Sequence, residues 1–173
     1  MIKVVADGPG LVVTVESPPA EEGCRSCGVI AASHGRRTVD LADAPYFGRP
    51  VRVEWRKRTW RCREPACPVK SFTEQDPRIV RPRGLLTTRA CWWAIGQLRG
   101  EHASVHGLAR QLGTTWRTVW RAIRPLLQAM ADDPARFDGV TTLGVDEHIV
   151  RHEALLFRMG VRDLERFAVV AAG

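Results

Sequence analysis

Four of the five cysteines of this 173-residue chain occur in two closely spaced pairs. Two residues separate Cys24 from Cys27, four separate Cys62 from Cys67, and 34 separate the two pairs. Two such pairs are typical of a tetrahedral zinc site, in which each pair forms a tight turn and the fold brings the turns together. Gly28 permits the positive φ that the first turn needs. The spacing predicts a closed, structural Zn²⁺ site with four thiolate ligands.

Disulfides and unrelated buried cysteines are the alternatives to zinc. The opening residues have neither the basic start nor the apolar stretch of a signal peptide, and no apolar run approaches the ~18 residues of a membrane span. We therefore expect a cytoplasmic protein with reduced thiols and no membrane partner. Chance burial would not explain the paired spacing. Cys91 lies in an apolar stretch, where a core role is the simplest interpretation.

Two strands are predicted around the cysteines. Residues 51–56 alternate, with Val51, Val53 and Trp55 on one face of a strand that leads into the second cysteine pair. Residues 11–15 predict a supporting strand. Basic residues surround Trp55 and Trp60, a combination that suits a phosphate backbone, although a solvated strand face is the alternative. The residues expected to contact DNA here are Arg56, Lys57, Arg58 and Arg61.

The charge is unevenly distributed along the chain. Residues 24–83 carry 14 basic and 6 acidic residues, and residues 84–125 carry 6 basic and 1 acidic residue. The segments before and after these are acidic. All but three of the 26 basic residues are arginine, whose planar fork suits phosphate and guanine edges. A polyanion-binding module attached to a segment with a different role explains this asymmetry, and a GC-rich coding sequence is the alternative explanation for the arginines.

Three helices are predicted after residue 86. Thr87 or Thr88 caps the first, which ends near Gly100; Ser104 caps the second; and Thr115 caps a third that runs to about residue 130. Ala109, Gly113 and Val119 have the offsets of a helix-turn-helix, which needs a small residue between its helices, glycine in the turn and a β-branched core residue. An ordinary helical hairpin with a basic outer face is the alternative.

The third helix sorts into two faces. Trp116, Trp120, Ile123 and Leu127, with Val119 and Leu126 beside them, are predicted to form the core stripe. A second stripe is basic. Because a recognition helix reads bases near its N-terminus and holds phosphates with neighbouring basic residues, we expect Arg117 and Arg121 to contact base edges and Arg124 a phosphate, with Thr118 beside them.

Three strand-like runs follow, at residues 140–145, 155–161 and 167–171. Asp146 follows the first of them. On these residues alone a strand-end carboxylate is a weak indication of any site.

The order of these parts resembles bacterial insertion-sequence transposases of the ISL-three type. CRSCG and CREPACPVKSF are similar to their N-terminal zinc ribbon, SVHGLARQLGTTWRTVWRAI to their helix-turn-helix, and TTLGVDEHIVRH to the opening of their DDE catalytic domain. The resemblance implies an α+β chain with a zinc ribbon (1–83), a helix-turn-helix domain (84–131) and the first strands of a ribonuclease-H-like sheet (132–173). It also implies a function in binding the terminal DNA of an insertion element for transposition.

In that family three acidic residues bind two divalent metals, usually Mg²⁺, and Asp146 matches the first of the three. The sequence ends at Gly173 before the others. We therefore expect Mg²⁺ only in a complete catalytic domain and no cutting of DNA by this chain alone. A stand-alone DNA-binding regulator or transposition inhibitor is the alternative, and an RNA-binding ribbon fits less well. The expected partner is double-stranded DNA, and a homodimer stays open.

Overall fold

The computed structural model describes residues 3–18 and 20–141. They form a mixed α+β architecture of five strands followed by three helices. Residues 3–136 belong to one compact unit, and the described residues from Phe137 onward belong to another. Of the predicted C-terminal strands, only the first two residues, Val140 and Thr141, are described; Asp146 and the later runs lie outside the described residues. None of the described helices is long and apolar enough to cross a membrane.

The sheet is built on one long hairpin. The strands are β1 (Lys3–Asp7), β2 (Gly10–Val15), β3 (Ala32–Tyr46), β4 (Arg49–Arg61) and β5 (Ser71–Thr73). β3 and β4 pair antiparallel, and the two residues between them, Phe47 and Gly48, both have positive φ. Two consecutive positive φ values are characteristic of the tight turn that matches the twist of a hairpin. β2 pairs in parallel with the first half of β4, and β5 pairs antiparallel with its last residues.

The predicted alternation in β4 is confirmed. Val51, Val53 and Trp55 are buried, whereas Arg52 and Arg56 are exposed. The buried residues pack with Leu41 of β3 and with Val80, which follows β5, as the core of the sheet. The supporting strand predicted at residues 11–15 is also confirmed, as β2. The core of the sheet and the cysteine cluster are separate groups of buried residues. The described strands are therefore packed together by apolar side chains as well as by the cysteines.

The helices follow the predicted capping residues closely. α1 (Thr88–Gly100), α2 (Val105–Gln111) and α3 (Trp116–Ala131) begin after Thr87, Ser104 and Thr115, each of which accepts a hydrogen bond from a backbone N–H of the first turn. A short 3₁₀ helix spans Pro134–Phe137. The helical core is separate from that of the sheet and includes Ile95, Leu108, Val119 and Ile123.

Two tryptophans of α3 are not where the sequence stripe predicts them. Trp116 is 45% exposed and Trp120 is 39% exposed, whereas Val119 and Ile123 are completely buried. α3 therefore buries a narrower stripe than its apolar residues suggest. Among the described residues α3 packs mainly against α1 and α2, and these two helices do not cover the large rings as well. Trp116 instead stacks on His106, with ring centroids 5.7 Å apart.

Candidate metal centre and nucleic-acid interface

The fold brings the four paired cysteines into one cluster. The sulfurs of Cys24, Cys27, Cys62 and Cys67 all lie within 4.8 Å of one another. The closest approaches are 3.5 Å between Cys27 and Cys62 and 3.8 Å between Cys24 and Cys67. A tetrahedral Zn²⁺ with Zn–S bonds near 2.3 Å places its sulfurs about 3.8 Å apart, so the spacing of the cluster is close to what zinc requires. Among the described residues no other group of three or more His, Cys, Asp or Glu side chains could share a metal ion.

Backbone hydrogen bonds shape both cysteine turns. In the first, the Gly28 N–H donates to the Cys24 carbonyl at 2.8 Å, and Gly28 has a φ of +76°. In the second, the Cys67 N–H donates to the Glu64 carbonyl at 3.2 Å. β4 ends at Arg61, so Cys62 continues directly from the central strand. The positive φ at Gly28 confirms the role expected of that glycine.

The protonation of the cluster also favours a cation. Backbone N–H groups of Cys27 and Ser26 donate to the Cys24 sulfur and lower the pKa of that thiol to about 6. The Glu64 N–H lowers the pKa of Cys62, but burial and the neighbouring cysteines outweigh it and raise that pKa to about 12. The neighbouring sulfurs therefore cannot all ionise easily by themselves. A divalent cation removes this obstacle, because thiolates rather than thiols are the ligands of zinc.

The helix-turn-helix geometry is present in α2 and α3. Ala109 is buried where the helices meet, Val119 is buried in the core, and Gly113 has a φ of +63° in the turn between them. A Cβ on Gly113 would lie 3.1 Å from the Pro50 Cβ, so the turn is also packed closely against the sheet. These three residues occupy the positions that the sequence spacing predicts.

The basic stripe of α3 is free for a ligand. Arg117, Arg121 and Arg124 are exposed, and within the described part of the chain none has a carboxylate at ion-pair distance. Thr118 is half-buried, and its hydroxyl lies 2.9 Å from the capping hydroxyl of Thr115. The three arginines therefore lie together on one accessible helix face.

The basic residues of β4 are less available than the sequence suggests. Lys57 is only 6% exposed and lies over the Trp55 ring, which leaves little of its side chain accessible for the predicted DNA contact. Arg56 lies 3.7 Å from Glu16, and half-buried Arg58 donates to the Ser17 carbonyl at 3.2 Å. Arg61 is exposed without an ion-pair partner among the described residues. Only Arg61 of this group keeps a fully available guanidinium.

A buried carboxylate that the sequence did not single out joins the sheet to the helices. Asp43 of β3 is 3% exposed. It accepts a hydrogen bond from the Thr87 hydroxyl at 2.5 Å and pairs with Arg89 of α1. Beside it the Ala42 N–H donates to the Leu85 carbonyl, and the Thr87 N–H donates to the Ala42 carbonyl. These contacts fix the helices on the sheet. Nothing local in the sequence distinguishes Asp43 from an exposed strand residue.

Two family models match adjoining parts of the chain. Residues 20–67 match the zinc-finger of transposase IS204/IS1001/IS1096/IS1165, a range that contains all four clustered cysteines. Residues 74–127 match the helix-turn-helix domain of transposase family ISL3, a range that contains α1, α2 and most of α3. No curated protein and no solved structure matches the chain.

Proposed function

Since the chain carries the zinc ribbon and the helix-turn-helix domain of ISL3-type transposases, we propose that residues 24–125 bind double-stranded DNA, and that their target is the terminal sequence of an insertion element. The observation that carries this proposal is the exposed stripe of arginines on α3, which has no carboxylate partners in the described part of the chain. Exposed arginines on the second helix of a helix-turn-helix are placed to enter a major groove.

Residues along α3 have different roles in this proposal. Arg117 and Arg121 lie in the first two turns, where a recognition helix contacts base edges. Arg124 lies one turn further on and contacts a phosphate. Thr118 lies between them and supports the first turn of the helix through its contact with Thr115. Arg61 supplies a phosphate contact from the ribbon.

The cysteine cluster has a structural role. We propose that Cys24, Cys27, Cys62 and Cys67 bind one Zn²⁺ as thiolates. The bound ion cross-links the first cysteine turn to the end of β4. With all four positions filled by sulfur, such a site has no open position for a substrate.

Arginine-to-alanine substitution tests base reading. The preferred duplex is selected from a randomised library, and affinity is measured by fluorescence anisotropy on that duplex and on a scrambled one. If Arg121 reads a base, Arg121→Ala costs about 1–3 kcal/mol on the preferred duplex and less on the scrambled duplex. Arg99→Ala is the matched control, because Arg99 is exposed on α1. Equal losses on both duplexes would make Arg121 a phosphate contact, and an intact chain that binds no duplex would overturn the proposal.

A stand-alone regulator or transposition inhibitor is the second candidate. The observation that favours it is that residues 3–136 form one compact unit with its own cores, which could bind DNA without a catalytic domain. A fragment ending at Arg136 that folds and binds the selected duplex as tightly as the whole chain would support this candidate. Loss of binding in the fragment would count against it.

The family resemblance assigns a separate role to Asp146, which lies outside the described residues. We propose it as the first of the acidic residues that hold Mg²⁺ at the start of a ribonuclease-H-like sheet. Because residues 24–125 carry the DNA contacts, Asp146→Ala is expected to leave duplex affinity unchanged. A loss of affinity in that variant would show that the segment contributes to DNA binding.

A further inference from the structure

The segment between the sheet and α1 is held at both ends. Val80 is buried in the core of the sheet, and Leu86 is buried in the core of the helices. Just outside these anchors, the Thr88 N–H donates to the Ile79 carbonyl at 2.8 Å, and the Thr88 hydroxyl donates to the Pro77 carbonyl at 2.8 Å. Residues 81–84 are therefore held in a defined position between the ribbon and the helix-turn-helix.

Residues 81–84 form a tight turn that requires glycine. The Gly84 N–H donates to the Arg81 carbonyl at 2.8 Å, and Arg83 has a φ of +61°. A Cβ on Gly84 would lie 2.8 Å from the Val80 side chain and 2.9 Å from the Arg81 carbonyl oxygen, closer than real Cβ atoms approach. The turn leaves both Arg81 and Arg83 exposed.

These two arginines share a groove with the recognition helix. A groove of about 570 Å³ is lined by Arg81 and Arg83 on one side, by Arg117 and Arg121 of α3 on another, and by Trp92 of α1. No acidic residue lines it. Four arginines therefore line one concave surface, and no acidic residue lines it with them.

Several other exposed arginines of the described region are already paired. Arg52 pairs with Asp7, Arg78 with Asp76, and Arg89 with Asp43. No carboxylate of the described residues lies at ion-pair distance from Arg81 or Arg83. Like charges in one groove repel each other unless a polyanion neutralises them.

We propose that this groove binds backbone phosphates of the duplex held by α3, with Arg81 and Arg83 as phosphate-binding residues that precede the three helices. This proposal rests on the proposed function, because Arg117 and Arg121 form one wall of the groove. A duplex seated on α3 therefore brings its backbone to the groove. The 81–84 turn then adds phosphate contacts that are independent of base sequence.

The salt dependence of affinity tests the proposal with the full chain. Arg81→Ala is combined with Arg83→Asn, since asparagine removes the charge and tolerates positive φ. Removing one arginine–phosphate interaction lowers the slope of log affinity against log salt by about 0.9. The double variant is therefore expected to lower the slope by about 2, and the affinity at ~0.15 M salt on the order of 30-fold, equally on the selected and the scrambled duplex.

Charge-preserving and distant variants complete the experiment. The variant carrying Arg81→Lys and Arg83→Lys is expected to keep the wild-type slope, because lysine also neutralises phosphate. Arg99→Ala, outside the groove, is the matched control. If wild type binds and Arg121→Ala weakens binding while the double variant behaves like Arg99→Ala, the groove proposal is wrong and the proposed function stands. If wild type binds no duplex, both are wrong. A base-specific loss in the double variant would also overturn phosphate binding.

Discussion

At the residue scale, the side chain of Asp43 is a buried polar contact that joins the sheet to the helices. Its buried carboxylate accepts hydrogen bonds from Thr87 and Arg89, and Thr87 also caps α1. Asp43→Ala leaves the Thr87 hydroxyl without this acceptor and removes a charged hydrogen bond. We expect a loss of about 2–3 kcal/mol in the free energy of unfolding, measured by urea denaturation.

Asp40 offers the matched control for Asp43. It lies on the same strand but is exposed. We expect Asp40→Ala to change stability by less than about 0.5 kcal/mol. If Asp43→Ala is equally mild, the carboxylate does not hold the two parts together.

Lys57 gives a pH-dependent prediction. Burial lowers the pKa of Lys57 below its ordinary value of 10.5, so folding carries a cost while this ammonium is charged. Between the lowered pKa and 10.5, the unfolded chain binds more protons at this residue, and its contribution to stability therefore rises with pH. Lys57→Met removes the charge. We expect the variant to exceed wild type in stability at about pH 7.5 and the difference to shrink by about pH 10.

Duplex affinity provides the second readout for Lys57. It is expected to be unchanged in Lys57→Met, because Lys57 is only 6% exposed. A loss of affinity would restore Lys57 as a DNA contact.

The burial of Lys57 was predictable from the sequence. The period of two that buries Val53 and Trp55 also places residue 57 on the buried face of β4. The neighbouring basic residues instead favoured the interpretation of Lys57 as part of an exposed basic run.

At the element scale, one glycine in a turn and one within a helix are expected to respond oppositely to alanine. Gly113 has a positive φ and lies against Pro50, so Gly113→Ala should cost about 1–2 kcal/mol. Gly96 lies within α1, and a Cβ there meets open space. Gly96→Ala should stabilise the chain by up to about 1 kcal/mol because alanine is the better helix former. Thermal unfolding measures both, and a stabilising Gly113→Ala would contradict the turn geometry.

The helix caps and the alternation of β4 were predictable because they depend on local chemistry. Thr87, Ser104 and Thr115 each cap the helix that follows, as the sequence indicates. The exposure of Trp116 was not predictable, because it depends on how far α1 and α2 extend over α3. The parallel pairing of β2 with β4 and the docking by Asp43 also depend on contacts distant in sequence. The cysteine cluster was predictable because paired spacing constrains it directly.

At the scale of the whole molecule, the part of the chain that the structure describes has three separate clusters of buried residues. The buried cysteines pack with Val69 and Phe72 at one end of β4. Trp55 and its neighbours form the core of the sheet, and a larger cluster lies among the helices. The cysteine cluster has the fewest apolar side chains of the three. We therefore expect the cysteine turns to depend most on zinc, and the helices to depend least.

Loss of one ligand tests this order. Cys62→Ser is expected to release zinc, measured by metal analysis, because a serine hydroxyl does not replace a thiolate ligand. Hydrogen exchange should then show reduced protection first in the two cysteine turns and β5, while α1–α3 retain theirs, since their core contains none of the four cysteines. Cys91→Ser is the matched control, because Cys91 is buried in that helical core and is not one of the four clustered cysteines. The Cys91→Ser variant should therefore keep its zinc. If Cys62→Ser exposes the helices together with the cysteine turns, zinc supports the whole unit through the sheet, and the three clusters unfold as one.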